Sequence, residues 1–568
     1  MSDLAGARTT DRWLWAFCLI TGVALVCRLW GIGYGLPLSY WTDEYHELMR
    51  AMQLGAGSFN WGRTTKGGFY LLLFFEYGVY YVVLKVLGIV AGTKEFAEHF
   101  VRDPTMFYVL GRSTAALLGC TTVAAVYWIA RHAYSNLAGL VAAFLLAINV
   151  LHVDLSHRIG VDVPMAACAA LALYFGLRLA DDGGRRNYVL AALFAALATT
   201  TKLPGVLVLI PLLAAHSYRV ATARSGARGW FGSRDLWIAL AVFVAVILVT
   251  NPGFFFYTSF GKFVGLSPES ANVDELEDLS DLEIGPRPNL YLYYLRVLLD
   301  SMGWPQFAAS LLAVGWAAVR RNRADVMLLC YALANYLAIS SSNASDSLYY
   351  PRYALPIIVV MAILVGRMFA DLIRALPRGQ AAIAVFGLAF LSAWPIRAVV
   401  AADYALTLTD SRTVAKEWFE KNVPAGAKVL VEGGKTGPKR ESVQLLESRA
   451  SLEDRIAYWK KVEPRQARFL EVKLATDDGS GYDLELVRLQ SIGTLQQYAA
   501  AGIEYFIVRP EYFVTARKAS AGAGRLLQDL HKDPCVKLLA RFAPDTSWSP
   551  GDTVEIYQRS QNCQAGGP

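Results

Sequence analysis

The stretch that decides the fold is the apolar run WLWAFCLITGVALVCRLW at Trp13–Trp30, followed by YWTDEYH at Tyr40–His46. The run is long enough to cross a membrane as a helix of roughly 20 residues. No small-residue cleavage site follows it, so it should stay as a helix and not be removed as a signal peptide. Asp43 and Glu44 lie just beyond it. Carboxylates this close to a bilayer are kept mainly for chemistry, so the pair marks a candidate reaction site.

The composition indicates a polytopic α-helical membrane protein. Of the 568 residues, 55% are hydrophobic, 12% are aromatic and only 18% are charged, with a mean hydropathy of +0.34. These values exclude an ordinary soluble enzyme. The formal charge of +7 is modest. Arginines cluster in short loops between apolar stretches and form no basic face, so no nucleic-acid partner is expected.

Apolar stretches that could span recur along the first 400 residues. They lie near 13–31, 69–91, 106–130, 137–155, 163–180, 188–201, 203–219, 235–257, 290–318, 325–341, 353–373 and 380–400. The basic loops should be cytoplasmic, but Arg131 and Arg185 would lie outside if 69–91 crossed. We therefore expect 69–91 to lie in or dip into the outer leaflet, where Glu76 and Lys85 fit. About eleven spans of an inner or plasma membrane protein remain, with a cytoplasmic N-terminus.

This topology places most polar candidates on the outer side. They are Asp43, Glu44, Lys66, His157, Arg158, Asp162, Arg352 and the acidic segment 258–289, with Lys202 close by. The acidic segment is typical of a solvated loop, and a lid is the alternative. We predict a membrane domain over 1–400, with juxtamembrane helices in the outer loop 32–105.

After Val400 the composition becomes that of a soluble protein, and 401–568 is predicted to be an extracytoplasmic α/β domain of about 160 residues. Asp410 or Ser411 should cap its first helix. Predicted helices precede strand-like runs three times: Arg412–Asn422 before Lys428–Val431, Leu495–Ala501 before Tyr505–Val508, and Arg525–His531 before Val536–Phe542. Cys535 and Cys563 could form a disulfide or remain two thiols.

Asp43 and Glu44 allow two kinds of chemistry. A carboxylate there can accept a proton from a hydroxyl that attacks a sugar carbon, or hold a divalent cation such as Mg²⁺ or Mn²⁺ against a phosphate. An acidic first turn of a helix Glu44–Leu54 is the structural alternative, since the helix dipole favours an anion there. His46 and Lys66 follow closely, which gathers cations and acids at one surface.

Three later turns carry charged residues: SHRIGVDVP at 156–164, TTTKLP at 199–204 and YYPRYALP at 349–356. Arg158 needs a carboxylate or phosphate partner, while Asp162 either caps the next helix or binds a ligand. Lys202 either snorkels to headgroups or contacts a phosphate. Arg352 can hold a phosphate through two hydrogen bonds, with Tyr353 lining a sugar or isoprenoid path. An interfacial aromatic belt would have the same composition.

The order of these motifs resembles that of GT-C glycosyltransferases. The nearest types look like the protein O-mannosyltransferase-like family 39 and the 4-amino-4-deoxy-L-arabinose lipid A transferases. The resemblance covers roughly the whole membrane part and is most specific in the first 200 residues. It implies inverting transfer of a sugar from a polyprenyl-phosphate donor to an acceptor on the outer face. It also implies that Asp43 is the catalytic base, with Glu44 positioning the acceptor or a metal.

Other family positions map onto this chain with some departures. Asp162, Lys202, Arg352 and Tyr353 match directly. The Lys-Pro-Pro type motif falls on Lys66-Gly67-Gly68, which keeps the cation and loses both prolines, and Thr42 replaces the usual Pro before Asp-Glu. The expected donor-phosphate contacts are Lys66, Arg158, Lys202 and Arg352, and the expected substrate contacts are Asp162, Tyr353 and His46.

Two other classes of function fit parts of the pattern. A transporter or flippase of a lipid-linked saccharide also needs a lipid-sized groove, but transporters place polar residues near the bilayer midplane. A catalytically inactive scaffold whose exported domain binds glycan is the second. Within the glycosyltransferase interpretation, a protein hydroxyl, a lipid and a glycan all remain open as acceptors, because pocket shape sets that choice.

Overall fold

The computed structural model describes residues 2–55, 66–223, 226–253, 289–341, 350–377, 381–434, 437–438, 440–462, 464–476, 481–488, 492–515, 521–544 and 550–560. Over these residues, each of the twelve apolar stretches forms at least one helix. The acidic segment 258–288 and Cys563 lie outside the described residues, so the predictions made for them stay predictions.

The first part of the chain is helical. Its helices are α1 (Ser2–Leu29), α2 (Thr42–Gly55), α3 (Gly67–Val86), α4 (Thr93–Arg102), α5 (Thr105–Ala133), α6 (Asn136–Ala147), α7 (Val150–Ser156), α8 (Asp162–Asp182), α9 (Arg185–Thr201), α10 (Leu209–Thr222), α11 (Gly226–Gly232), α12 (Arg234–Thr250), α13 (Leu290–Arg320), α14 (Arg323–Ser340), α15 (Leu355–Ala375) and α16 (Ala381–Ala405). Short 3-10 turns at Leu203–Val208 and Pro351–Ala354 precede α10 and α15.

The protein is a multi-pass membrane protein. Among the described residues, eight helices are long and apolar enough to cross a membrane, or nine if α6 and α7, which bend by 62°, count as one span. Helices α9 and α12 have 17 residues each and α14 has 18, which is the lower limit of length for a span, so eight or more spans agree with the predicted count of about eleven. Helix α3 is itself one of the eight, so its predicted place in the outer leaflet stays a prediction.

Small residues let the central helices pack closely. A Cβ at Gly366 of α15 would lie 2.5 Å from the Ala138 carbonyl oxygen and 2.9 Å from the Ala142 Cβ, both of α6. Close backbone approach of this kind is typical of helix interfaces in membranes. Helix α15 is a buried central helix, and the 3-10 turn Pro351–Ala354 lies directly before it.

A buried arginine holds the bend between α6 and α7. Arg28 of α1 is fully buried, and its Nη1 donates to the Ala147 carbonyl at 3.1 Å while its Nη2 lies 2.8 Å from His152 Nδ1. The carbonyls at a helix C-terminus lack partners within their own helix. Asn149 then caps α7 by accepting from the His152 backbone N–H at 3.0 Å. The bend directs α7 toward the start of α8.

The C-terminal part contains a six-stranded sheet over the described residues. Its elements are α17 (Ser411–Asn422), β1 (Lys428–Gly434), β2 (Gly437–Pro438), α18 (Arg449–Val462), α19 (Pro464–Thr476), β3 (Asp483–Val487), α20 (Leu495–Ala500), β4 (Tyr505–Val508), α21 (Pro510–Thr515), α22 (Ala521–Lys532), β5 (Val536–Phe542) and β6 (Val554–Arg559). Parallel β3, β1 and β4 continue into antiparallel β6 and β5, and β2 pairs with the end of β1. Leu430 and Phe506 pack on one face and Val429 and Ile507 on the other.

The α/β character predicted after residue 400 is confirmed, including the cap by Asp410, which accepts from the Arg412 backbone N–H at 2.9 Å. Elements β2, α18, α19, β3, α21 and β6 were not predicted. Cys535 is disulfide-bonded, whereas Cys18, Cys27, Cys120, Cys168 and Cys330 are free. The exact place of a domain boundary near residue 400 stays a prediction.

Hydrogen bonds join the C-terminal part to the loop after α1. The Tyr34 hydroxyl donates to Asp410 Oδ2, and the Tyr40 hydroxyl lies 2.7 Å from Thr413 Oγ1. The Arg412 guanidinium packs 4.0 Å from the centroid of the Tyr40 ring. Burial, with the Asp410 carboxylate beside it, raises the pKa of Tyr34, so its hydroxyl keeps its proton and remains a donor. The loop that leads into α2 is thereby fixed at both of its tyrosines.

Candidate active site

Asp43 and Glu44 leave the first turn of α2 in different directions. Successive residues of an α-helix are about 100° apart around its axis, because one turn takes about 3.6 residues. The Glu44 side chain is only 1% exposed, whereas the Asp43 side chain is 56% exposed. The two acids of one motif therefore belong to different environments.

Glu44 belongs to a closed ion pair with Arg112 of α5. Arg112 Nε and Nη2 donate to the two carboxylate oxygens at 2.9 and 2.7 Å. The Ser39 hydroxyl and the Ile159 backbone N–H donate to the same oxygens at 3.0 and 2.9 Å. The oxygens of Glu44 are therefore buried and already hydrogen-bonded, and its predicted role in positioning an acceptor or a metal stays a prediction.

Trp41 packs beside this pair and beside Arg158. The Arg112 and Arg158 guanidinium groups lie 4.8 and 4.6 Å from the centroid of the Trp41 ring. Arg158 Nη2 also donates to Asp154 Oδ1 at 2.5 Å. Arg158 is therefore already paired, within one helical turn, and its predicted contact with a donor phosphate stays a prediction.

Asp43 begins a chain of alternating charges, called here the charged chain: Asp43, Arg352, Asp162 and Lys202. Asp43 Oδ2 accepts from Arg352 Nη1, and Arg352 Nε lies 3.9 Å from Asp162 Oδ2. Lys202 Nζ donates to Asp162 Oδ1 at 2.5 Å. The four residues come from α2, the turn before α15, the start of α8 and the turn after α9. The fold thus joins motifs that are far apart in the sequence.

Two tyrosines line the charged chain. The Arg352 guanidinium lies 4.1 Å from the Tyr350 ring centroid, and Lys202 Nζ lies 4.5 Å from that of Tyr353. The two rings meet edge to face with their centroids 5.8 Å apart. Aromatic faces attract cations, most strongly where water is scarce. Tyr353 therefore lies at the site, as predicted, although its contact with substrate stays a prediction.

Asp162 does not cap α8, which was one of its two predicted roles. The N-cap residue is Val161, and no side chain forms a capping hydrogen bond there. The Asp162 carboxylate is only 8% exposed and turns toward Lys202 and Arg352 instead. A carboxylate that bridges two cations fixes both of them, which favours the ligand-site alternative.

Lys66 joins the site through a buried partner. Its Nζ donates to Glu47 Oε1 at 2.6 Å, and the two side chains are 32% and 4% exposed. A Cβ at Gly68 would lie 2.8 Å from Thr200 Oγ1. The glycine that replaces a family proline therefore lets α3 begin against the end of α9. That contact brings Lys66 to the turn that carries Lys202.

The charges around Asp43 keep it ionised. Burial alone would raise the pKa of the Asp43 carboxyl, but Arg352, Lys66 and His46 hold that pKa below its usual range. Asp43 is therefore a carboxylate at neutral pH, and a weak base while Arg352 is paired with it. The predicted contact of His46 with substrate stays a prediction.

Asp43 and Glu44 lie on different sides of α2, because Arg112 holds Glu44, and their predicted joint binding of a metal stays a prediction. Across the described ranges, no group of three or more His, Cys, Asp or Glu side chains is placed to hold a metal ion. Asp43 alone could still act as one carboxylate ligand for Mg²⁺ or Mn²⁺ bound to a phosphate, since Mg²⁺ is often held by one or two carboxylates and substrate phosphates.

Sequence reasoning missed Glu47 and Arg112, although each left a signal. Glu47 follows Asp43 by four residues, which places both on one face of α2. Arg112 is an arginine within the apolar stretch of α5, and a charge in a membrane segment requires a partner. Which carboxylate or cation each one meets could not be read from those local patterns.

The C-terminal part also covers the segment that carries the acids. The Arg440 guanidinium lies 4.1 Å from the Tyr45 ring centroid, and its Nη1 donates to the Leu38 carbonyl at 3.3 Å. Gln444 Nε2 donates to the Ser39 carbonyl at 3.3 Å. The start of α2 therefore lies between the membrane helices and the C-terminal part.

Residues 109–251 match the family model for dolichyl-phosphate-mannose-protein mannosyltransferases. The chain resembles this family of glycosyltransferases. The match confirms the resemblance drawn from the sequence, and the matched region includes Arg112, Arg158, Asp162 and Lys202. Asp43, Lys66 and Arg352 lie outside the matched residues.

Several solved structures align with most of the chain. ArnT from Cupriavidus metallidurans in the apo state is 14% identical, with 99% of this chain and 100% of that chain covered and a TM-score of 0.48. ArnT from the same organism bound to undecaprenyl phosphate is 15% identical, with 97% of this chain and 99% of that chain covered and a TM-score of 0.48. AglB from Archaeoglobus fulgidus, in complex with an inhibitory peptide and a dolichol-phosphate, is 13% identical. The alignment covers 92% of this chain and 72% of that chain, with a TM-score of 0.48. No curated protein matches the chain.

Proposed function

We propose that the protein is an inverting membrane glycosyltransferase that moves a hexosyl or pentosyl group from a polyprenyl-phosphate donor to a hydroxyl-bearing acceptor. The observation that carries the proposal is the charged chain, in which an exposed carboxylate adjoins cations suited to a phosphate. The family model supports the donor class, because its description names a sugar linked to dolichyl phosphate. Protein, lipid and glycan hydroxyls all remain candidate acceptors.

The donor phosphate would bind between the cations of the site. Arg352 can form two parallel hydrogen bonds to a phosphate, and Lys66 and Lys202 lie on the neighbouring turns of α3 and α9. Each of the three cations is paired with a carboxylate. The cations would stabilise the charge that develops on the phosphate as it leaves, in a site where water is limited.

Asp43 would serve as the base. When Arg352 turns to the donor phosphate, Asp43 loses its nearest cation and becomes a stronger base. The acceptor oxygen then attacks the anomeric carbon, the bond from that carbon to the phosphate oxygen breaks, and the phosphate leaves with the electron pair. The hydroxyl proton passes to Asp43. Direct displacement with inversion needs one base and no second carboxylate flanking the bond.

The position of the charged residues favours transfer over transport. Asp162 is at the first turn of α8, Lys202 follows the last turn of α9, and Arg352 lies in the turn before α15. Transporter sites instead lie near the bilayer midplane, on interrupted helices. With the cytoplasmic basic loops as reference, we place this end of the helices, and the C-terminal part, on the outer face of an inner or plasma membrane.

The test is release of polyprenyl phosphate from a panel of polyprenyl-phosphate sugars by purified protein in detergent, with membrane extract as acceptor. We expect turnover by the wild type and about a hundredfold loss or more for Asp43→Asn. Asp182→Asn is a matched control, because Asp182 is also 56% exposed, has one partner, Arg178, and lies at the opposite end of α8. Equal activity of Asp43→Asn and wild type would remove Asp43 from the mechanism. Donor binding without turnover would favour transport.

A further inference from the structure

Glu47 is a buried carboxylate that the proposed chemistry leaves without a role. It lies one helical turn after Asp43 on α2, and only 4% of its side chain is exposed. Its Oε1 accepts from Lys66 Nζ at 2.6 Å. A carboxylate is costly to bury unless a cation compensates it. The ammonium of Lys66 therefore stabilises the buried negative charge of Glu47, and Glu47 in turn restricts the position of that ammonium.

The two side chains of the Glu47–Lys66 pair differ in solvent exposure. Lys66 is 32% exposed, eight times the exposure of Glu47, so the ammonium group is bonded to a buried carboxylate and remains partly accessible to solvent. An ammonium has three donors, and the bond to Glu47 uses one. The charge of Lys66 also reaches Asp43, whose pKa it helps to lower. The ammonium is thus anchored on one side, and its exposed side can face a ligand near Asp43.

Anchoring matters because a lysine side chain is long and flexible. An ammonium on a free side chain would lose much rotamer freedom on binding a phosphate. A buried carboxylate that already fixes the Nζ removes most of that cost before the donor arrives, as preorganisation does at other binding sites. The backbone is fixed as well, because Gly68 lies against Thr200 at the end of α9.

We propose that Glu47 is a positioning residue that holds the Lys66 ammonium for the donor phosphate. The inference rests on the proposed function, since it assumes that the ligand is a polyprenyl phosphate carrying a sugar. It assigns Glu47 an effect on donor binding that passes through Lys66. A purely structural role, in which the Glu47–Lys66 pair only joins α2 to α3, would lower the thermal unfolding midpoint and kcat without a selective rise in the donor KM.

A double-mutant cycle shows whether Glu47 acts through Lys66, and the split between donor KM and kcat separates the two roles. Glu47→Gln, Lys66→Met and the double variant are compared for the dissociation constant of undecaprenyl phosphate and for the donor KM and kcat. We expect Glu47→Gln to weaken binding about tenfold, which corresponds to about 1.4 kcal/mol, and to raise the donor KM with little change in kcat. In the Lys66→Met background, the second substitution should have no further effect, because the residue through which Glu47 acts is gone.

The control is Glu76→Gln on α3, a carboxylate that accepts from Thr114 Oγ1 at 2.7 Å and lies outside the proposed site. It should leave binding of undecaprenyl phosphate unchanged. Losses that multiply in the double variant, or wild-type affinity in Glu47→Gln, would overturn the positioning role. Binding is measured without turnover, so a wild type that binds undecaprenyl phosphate but releases none from sugar donors would contradict the proposed transfer and still leave the cycle readable.

Discussion

The closed pair of Glu44 and Arg112 and the open pair of Asp43 and Arg352 contain the same chemical groups and begin at adjacent residues. In the closed pair both side chains are at most 1% exposed, whereas in the open pair the carboxylate is 56% and the guanidinium 26% exposed. Glu44 also accepts hydrogen bonds from Ser39 and Ile159. The comparison teaches that a saturated, buried ion pair fixes a helix, and that an accessible one can exchange partners with a ligand.

The largest expected effect concerns stability in the closed pair. Glu44→Gln would leave the Arg112 guanidinium buried without its counterion, which costs about 3–5 kcal/mol in other proteins. Asp43→Asn breaks only an exposed pair, and such pairs are worth about 0–1 kcal/mol. The thermal unfolding midpoint of each variant in detergent checks the contrast. Equal midpoints would show that burial does not separate the two pairs.

The second prediction concerns the ionisation of Asp43 in the open pair. In the wild type, nearby cations hold the pKa of Asp43 below its usual range, so the acidic limb of kcat/KM should lie at low pH. In Arg352→Met the loss of the nearest cation would raise that pKa, and activity should fall at a higher pH than in wild type. The donor KM should also rise, by about tenfold for one lost charged contact. The measurement is the pH profile of polyprenyl phosphate release.

Arg296→Met is the control for that profile, because Arg296 forms an exposed pair with Asp300 on α13. Its pH profile should match the wild type. An unchanged acidic limb in Arg352→Met would mean that Arg352 does not govern the protonation of Asp43, and the open pair would then be only a surface contact.

Much of the fold follows from local patterns, which is why it could be predicted. The apolar stretches are helical where described, and α2 begins at the acids. The alternation of helix and strand after residue 400 is confirmed for α17, β1, α20, β4, α22 and β5. Hydrophobicity, caps and breakers act over a few residues, so the sequence displays them directly.

The partners of the charged residues could not be predicted in the same way. Glu44 meets Arg112 across 68 positions, and Asp43 meets Arg352 across 309. Asp162 looked like a helix cap because capping is a local rule, but its carboxylate is turned to Lys202. Pairing over such distances depends on how helices pack, and one sequence contains no local signal of it.

The smallest effect is expected where the C-terminal part covers the start of α2. Arg440 packs 4.1 Å from the Tyr45 ring centroid, and an exposed contact between a cation and a ring is worth about 0.5–1 kcal/mol. Arg440→Ala should therefore lower kcat/KM by about two- to fivefold. Arg320→Ala is the control, since Arg320 packs on Trp316 at 5.0 Å on the predicted cytoplasmic side. A loss of a hundredfold would contradict a covering role, because it would place Arg440 in contact with the acceptor and extend the open site into the C-terminal part.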